Sequence, residues 1–259
     1  MTDYLLLMVA AFLGGVVNSV AGGGTLLTFP TLNGILGVSA EASVIANATS
    51  TVALFPGSVA SIFGYRKEVA ESAKWSWLLI GPSLIGGLLG SLLVIWLPDE
   101  SFKALVPWLI LIAASLFALQ PKIAQWFGVG KEHEPPTKGT AVGVVAFQFL
   151  VSVYGGYFGA GIGILMLSSL AMMGLGDIHR MNGVKVLLAT AINGVAVVVF
   201  VIGGKVHWPY ALSMMAAAIA GGYSGASIAR KMNRNVVRGV VVCIGFSLAA
   251  FYFYRRLTS

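Results

Sequence analysis

The chain has 259 residues, 58% of them hydrophobic and 10% charged, with a formal net charge of +7. A mean hydropathy of +0.89, and a charged fraction far below the roughly 25% of a soluble domain, exclude a water-soluble globule and point to an all-α polytopic membrane protein. The basic residues sit between apolar runs, so they read as topology signals and not as a nucleic-acid surface.

In chain order, the uncharged runs predict helices over 4–20, 25–37, 41–64, 75–97 and 102–119. A second set follows over 139–157, 164–175, 180–203, 207–230 and 235–254. The N-terminus carries Asp3 and no basic residue before its apolar run, so a retained first membrane segment is expected and not a cleaved signal peptide. Two uncharged runs, 4–40 and 139–176, are too long for one span of about 20 residues and tight for two. Each holds a glycine cluster: "GGGT" (Gly22, Gly23, Gly24, Thr25) and "GAGIG" (Gly159, Gly161, Gly163). Glycine costs a helix interior about 1 kcal/mol relative to alanine, so each run is expected to break there into a short or re-entrant helix pair. The polar, proline-bearing segment 120–138 reads as a hydrophilic linker.

The two halves resemble each other. "GGLLGSLLVIWLPDESFKAL" from Gly86 aligns with "GGYSGASIARKMNRNVVRGV" from Gly221 at an offset of 135. At an offset of 136, Glu41 lies opposite Asp177, Thr49 opposite Lys185 and Gly57 opposite Asn193. We expect an N-terminal repeat over 1–119 and a C-terminal repeat over 139–259. Each has a glycine-broken pair plus three fuller membrane helices, an odd net number of crossings that inverts one half relative to the other. Eleven basic residues (66, 67, 74, 122, 131, 138, 180, 230, 231, 234 and 238) then fall on the linker side, against four (Lys103, Lys205, Arg255 and Arg256) on the other. By the positive-inside rule the linker is cytoplasmic and both termini face outward.

Glycine-interrupted segments at matching positions of inverted repeats point to a transporter's binding site. Freed amides at a restarting helix attract anions, so the substrate-binding candidates are Gly22, Gly23, Gly24, Thr25, Gly159, Gly161 and Gly163. Close helix packing is the competing account, and it is the preferred one for "GGLLG" and "GGYSG". A leucine at Gly23 is expected to block the site while leaving folding intact. "IANATSTVALFPG" adds Asn47, Thr49 and Ser50, and "RMNGVKVLLATAIN" adds Asn182, Lys185 and Asn193. The neutral residues serve either as contacts or as interhelical glue. Lys185 either faces a pathway, since a buried ammonium is costly in a membrane, or snorkels towards the interface. Glu41 and Asp177 read as first-turn acids favourable to the helix dipole. The single cysteine, Cys243, excludes an internal disulfide, and the three histidines have no metal-ligand spacing. No metal or cofactor is called for.

The stretches "GGVVNSVAGGGTLLTFPTL", "NATSTVALFPGSVASIFGYRK", "GGYFGAGIGILML", "MNGVKVLLATAINGVAVVVFVIGGKVHW" and "GGYSGASIARKMN" resemble the TauE/SafE family of sulfite-exporter-like permeases. The resemblance runs from Leu5 to Tyr254. It implies transport of a small anion, such as sulfite, a sulfonate or another organosulfur or carboxylate compound, across a bacterial inner membrane. One departure is Ile162 inside "GAGIG", where a fuller "GIGGG"-like cluster is common, and it is expected to make the two half-sites unequal. The reading is a secondary carrier working by alternating access, with a passive anion channel as the alternative. An intramembrane enzyme lacks a nucleophile or zinc motif such as HExxH or G-x-S-x-G. The expected partners are a small anionic substrate and the lipid bilayer, not nucleic acid; the oligomeric state is left open, with a homodimer as one option.

Overall fold

The computed structural model describes residues 1–37, 39–129, 137–228 and 234–258. Among them the chain forms eleven helices and no strand. The first group is α1 (Thr2–Ala21), α2 (Thr25–Leu36), α3 (Ala40–Gly64), α4 (Arg66–Glu71), α5 (Ala73–Trp96) and α6 (Asp99–Trp126). The second is α7 (Lys138–Tyr157), α8 (Ile162–Met172), α9 (Ile178–Ile202), α10 (Trp208–Ile228) and α11 (Arg234–Thr258). Seven of them are long and apolar enough to cross a membrane, while α2 and α8 are short apolar helices of 12 and 11 residues. The protein is an all-α, multi-pass membrane protein.

All ten expected helices form, most within two or three residues of their expected bounds. Two expectations need correction. Helix α6 runs on to Trp126, because "LQPKIAQW" keeps helical spacing through Pro121, so the first part of the expected linker is helical. Helix α4 occupies what was read as a loop between spans. Linker residues 130–136 and the basic residues Arg230 and Lys231 lie outside the described residues.

Polar caps mark the starts of α3, α7 and α9. Ser39 Oγ accepts from the Ala42 N–H, Thr137 Oγ1 from Thr140, and Asp177 Oδ1 from His179 and Arg180. These bonds satisfy donors that a helix start leaves unpaired. Asp177 is thus the cap of α9 and not a first-turn residue. The Arg180 N–H beside it holds its carboxyl below the usual carboxylate range.

Contacts sort the helix ends into two sets. At one end, Tyr4 packs edge-on against Tyr210, Lys205 pairs with Asp99 at 3.1 Å, and Arg256 donates to the Ala104 carbonyl. This terminal end therefore gathers the starts of α1, α6 and α10 with the last turns of α11. At the opposite end, Arg180 reaches the Glu71 carbonyl and Ser72, joining the start of α9 to the α4–α5 turn.

Small residues bring the long helices together. A Cβ on Gly90 would lie 2.0 Å from the Val153 carbonyl oxygen, and one on Gly221 would lie 2.1 Å from that of Phe12. So α5 of the first half packs on α7 of the second, and α10 of the second on α1 of the first. The clusters "GGLLG" and "GGYSG" do packing work, as expected.

Candidate functional site at the two helix breaks

Helix α1 starts at the terminal end and stops at Gly22, whose left-handed backbone (φ 73°) turns its N–H onto the carbonyls of Val17 and Asn18. Helix α2 then returns towards the terminal end, where Asn33 Nδ2 donates to the Tyr252 hydroxyl at 2.6 Å. Helix α7 approaches from the other side. Its last residue, Tyr157, offers its carbonyl to Asn47 Nδ2 at 3.1 Å. Glycines at 159 and 161 (φ 81° and 80°) then reverse the chain into α8. Left-handed backbone penalises any residue with a Cβ, which is why both breaks need glycine.

The breaks meet in the interior. Gly161 N–H donates to the Gly22 carbonyl at 3.0 Å, and a Cβ on Gly22 would stand 2.7 Å from the Gly163 Cα. Two helix starts, α2 and α8, therefore begin side by side. Thr25 faces Gly159, with its hydroxyl 4.0 Å from where a Cβ would sit. Ile162 is 3% exposed and fills the apolar core beside Ile192.

Lys185 closes this arrangement. Its side chain is 1% exposed, and Nζ donates to the Ser19 carbonyl at 3.2 Å and to Asn182 Oδ1 at 3.1 Å. That burial overturns the snorkelling alternative. The ammonium sits at the C-terminal end of α1, where the helix dipole favours a cation. Beside it lies a cavity of about 10 Å³ lined by Asn18, Ser19, Ser58, Ser61 and Lys185, at the lower limit of the space that admits one water.

The residue opposite Lys185 is Asn47 and not Thr49. Helix α9 starts 138 residues after α3, and Lys185 lies 138 after Asn47, so both fall at the same place in their helices. The offset of 136 came from Glu41 and Asp177, but the true paired caps are Ser39 and Asp177. Both side chains, Lys185 and Asn47, donate to a carbonyl at the end of the other half's first helix.

Other candidates have different partners. Thr49 accepts from the His207 N–H at 2.9 Å, tying α3 to the α9–α10 turn. Ser50 bonds Thr28 at 2.5 Å, and Thr28 bonds the Gly24 carbonyl, so this pair braces the first break. Asn193, half-buried, lies eight residues beyond Lys185 on α9, more than two turns away. The Gly23 expectation also changes. A Cβ there would fall 2.2 Å from Phe117 Cζ, and Phe117 is fully buried, so leucine disturbs folding as well as any site.

Sequence reasoning missed Ser19 and Tyr157. Four buried polar atoms lack a partner among the described residues: Ser19 Oγ, Asn47 Oδ1, Tyr157 Oη and His207 Nδ1. Three belong to the two end-of-helix contacts just described. Such orphans are costly unless something polar reaches them. The signal was present, because Ser19 and Tyr157 each lie within three positions of the glycine that breaks their helix.

The sequence that forms these breaks resembles known proteins over nearly its whole length. The profile described as "Sulfite exporter TauE/SafE" matches residues 7–252. The chain belongs to the TauE/SafE family. Among its relatives, a "Probable membrane transporter protein" of Haemophilus influenzae is 25% identical over 96% of this chain and 94% of its own. "Probable membrane transporter protein YfcA" of Escherichia coli K12 is 27% identical, over 96% of this chain and 88% of its own. "Probable membrane transporter protein YunE" of Bacillus subtilis is 26% identical, over 95% and 97%. The protein is a membrane transporter of this family.

Proposed function

We propose that the protein is a secondary carrier for a small oxyanion such as sulfite, a sulfonate or a related organosulfur or carboxylate compound. It works by alternating access between two inverted repeats, 1–119 and 139–259. The observation that carries this reading is the meeting of the two breaks beside a buried ammonium, with Gly22 against Gly163 and Lys185 on the end of α1. The starts of α2 and α8 supply amides and positive dipole ends to an anion. Lys185 supplies the compensating charge, with Asn47, Asn182, Ser19 and Tyr157 as neutral contacts. One broken pair enters from each end of the bundle. Rocking one against the other opens the centre to each face in turn.

The linker is assigned to the cytoplasm and both termini to the outside of a bacterial inner membrane. Two measurements test the reading. Purified protein in liposomes should show saturable uptake of radiolabelled sulfite, or of another member of an oxyanion panel, with counterflow. Flux without counterflow means a passive channel. Labelling of a cysteine placed at the C-terminal end should occur from the periplasm, and cytoplasmic labelling overturns the inverted arrangement.

A further inference from the structure

Among the described residues the terminal end carries four basic side chains, and only one of them stands outside a shared cavity. Lys205 is neutralised by Asp99 at 3.1 Å. The other three, Lys103, Arg255 and Arg256, line a single cavity of about 320 Å³ together with Glu100, Ser43 and Tyr252. That volume is at the small end of the range for small-molecule sites. Three cations face one acid, and Lys103 makes no hydrogen bond or ion pair with a described residue. A face that holds few cations thus concentrates them in one concavity.

The cavity floor points inward. Ser43 donates to Asn33 Oδ1, and Asn33 donates to the Tyr252 hydroxyl, so a polar chain joins α3, α2 and α11 at its base. One turn below Ser43 on α3 lies Asn47, with its unpartnered Oδ1. Between cavity and breaks stands an aromatic cluster. Phe29 packs on Phe102 and Phe158 at 6.3 and 5.4 Å, and Phe102 packs on Tyr157 at 5.5 Å.

We propose that this cavity is an anion vestibule, a loose seat for the soluble oxyanion at the terminal face, separated from the central site by the Phe29–Phe102–Phe158 cluster. The proposal rests on the transport reading above. An excess of cations in a concave, low-dielectric wall raises the local concentration of small anions. The floor hydroxyls of Ser43 and Tyr252 supply neutral polar contacts, so the seat holds weakly and releases inward when the aromatic cluster parts.

The test uses Ala104→Cys in a Cys243→Ser background, because Ala104 lines the cavity and Cys243 is exposed. The modification rate of the introduced thiol is measured with an anionic sulfonatoethyl and a cationic trimethylammonioethyl methanethiosulfonate. Relative to a free thiol, the anionic reagent should be favoured by about tenfold at low salt, and less at high salt. Lys103→Gln should remove most of this preference, Lys103→Arg should keep it, and inorganic sulfate should protect the introduced thiol from either reagent.

The transport arm is initial uptake from the terminal face. There, Lys103→Gln should raise the apparent KM several-fold with unchanged maximal rate, leaving KM from the other face unchanged. An absent charge preference overturns the vestibule while leaving the Lys185 site standing. A preference seen in phosphatidylcholine vesicles but lost when phosphatidylglycerol is added means a lipid headgroup holds the cavity, and also overturns it. A preference with no flux of any oxyanion removes the transport reading and the vestibule's role with it.

Discussion

At the end of α1 the Ser19 carbonyl receives the Lys185 ammonium, and at the end of α7 the Tyr157 carbonyl receives the Asn47 amide, at 3.2 and 3.1 Å. The two positions match in helix register, and both breaks use left-handed glycine, one after α1 (Gly22) and two between α7 and α8 (Gly159 and Gly161). The side chains differ more, so one half brings a full charge and the other a neutral donor with an orphaned oxygen. Two helix breaks at matching registers thus present an interior that carries charge on one side only.

Breaking the charged half should have the largest effect. Lys185→Gln removes a charge-assisted bond worth about 1.5–3 kcal/mol, so oxyanion affinity should fall roughly ten- to a hundred-fold in protein whose folding is verified. Wild-type affinity in that variant would leave Lys185 as a mere cap for α1. Lys185→Arg should recover part of the binding but slow release, because a guanidinium grips oxyanions through two donors.

Next is Gly23→Ala, which sharpens the comparison of the two breaks. Its Cβ collides with Phe117, so overpacking should cost about 1–3 kcal/mol and lower the detergent melting temperature. Gly34→Ala, where nothing lies within 4 Å of the added carbon, is the control and should melt at least as high as wild type. Equal destabilisation of both would mean that Phe117 does not set the packing of the first break.

The neutral half should respond less. Asn47→Ala deletes one bond to the Tyr157 carbonyl and should weaken stability by about 1 kcal/mol. Anion affinity should change far less than in Lys185→Gln. If it changes as much, the halves contribute equally and charge does not distinguish them.

The smallest effect concerns the paired caps, Ser39 and Asp177. Either to alanine should cost about 0.5–1 kcal/mol, measured by thermal melting. Only the Asp177 contribution should depend on pH. Its folded pKa is lowered, so the stabilisation is complete above the ordinary carboxylate range and is lost as pH falls from there through the lowered folded value. A flat difference between wild type and Asp177→Ala in acid would refute this.

Much of the fold was legible because lipid allows few solutions. Long uncharged runs must be helices, and a run too long for one span must break, most easily at glycine. Lys185 stood out for the same reason, as an ammonium within an apolar run. The register between halves was not legible. Glu41 and Asp177 suggested 136, but Ser39 caps α3 where Asp177 caps α9, and neither role depends on residue type alone. Thr49, Ser50 and Asn193 looked equivalent to Asn47 in the sequence. They differ only in which neighbour each faces, and in Thr49 that neighbour is a turn 158 residues away.

The sequence by itself determined the membrane class, the helices, the two breaks and the small-residue faces, because each follows from local composition or from a backbone conformation only glycine takes easily. Only the tertiary structure decided that the breaks touch, that Lys185 ends against Ser19 and not at the interface, and that three of the four cations at the terminal end share one cavity. These are contacts between residues far apart in the chain. They depend on how the helices of one half lean on those of the other, and no local pattern records that.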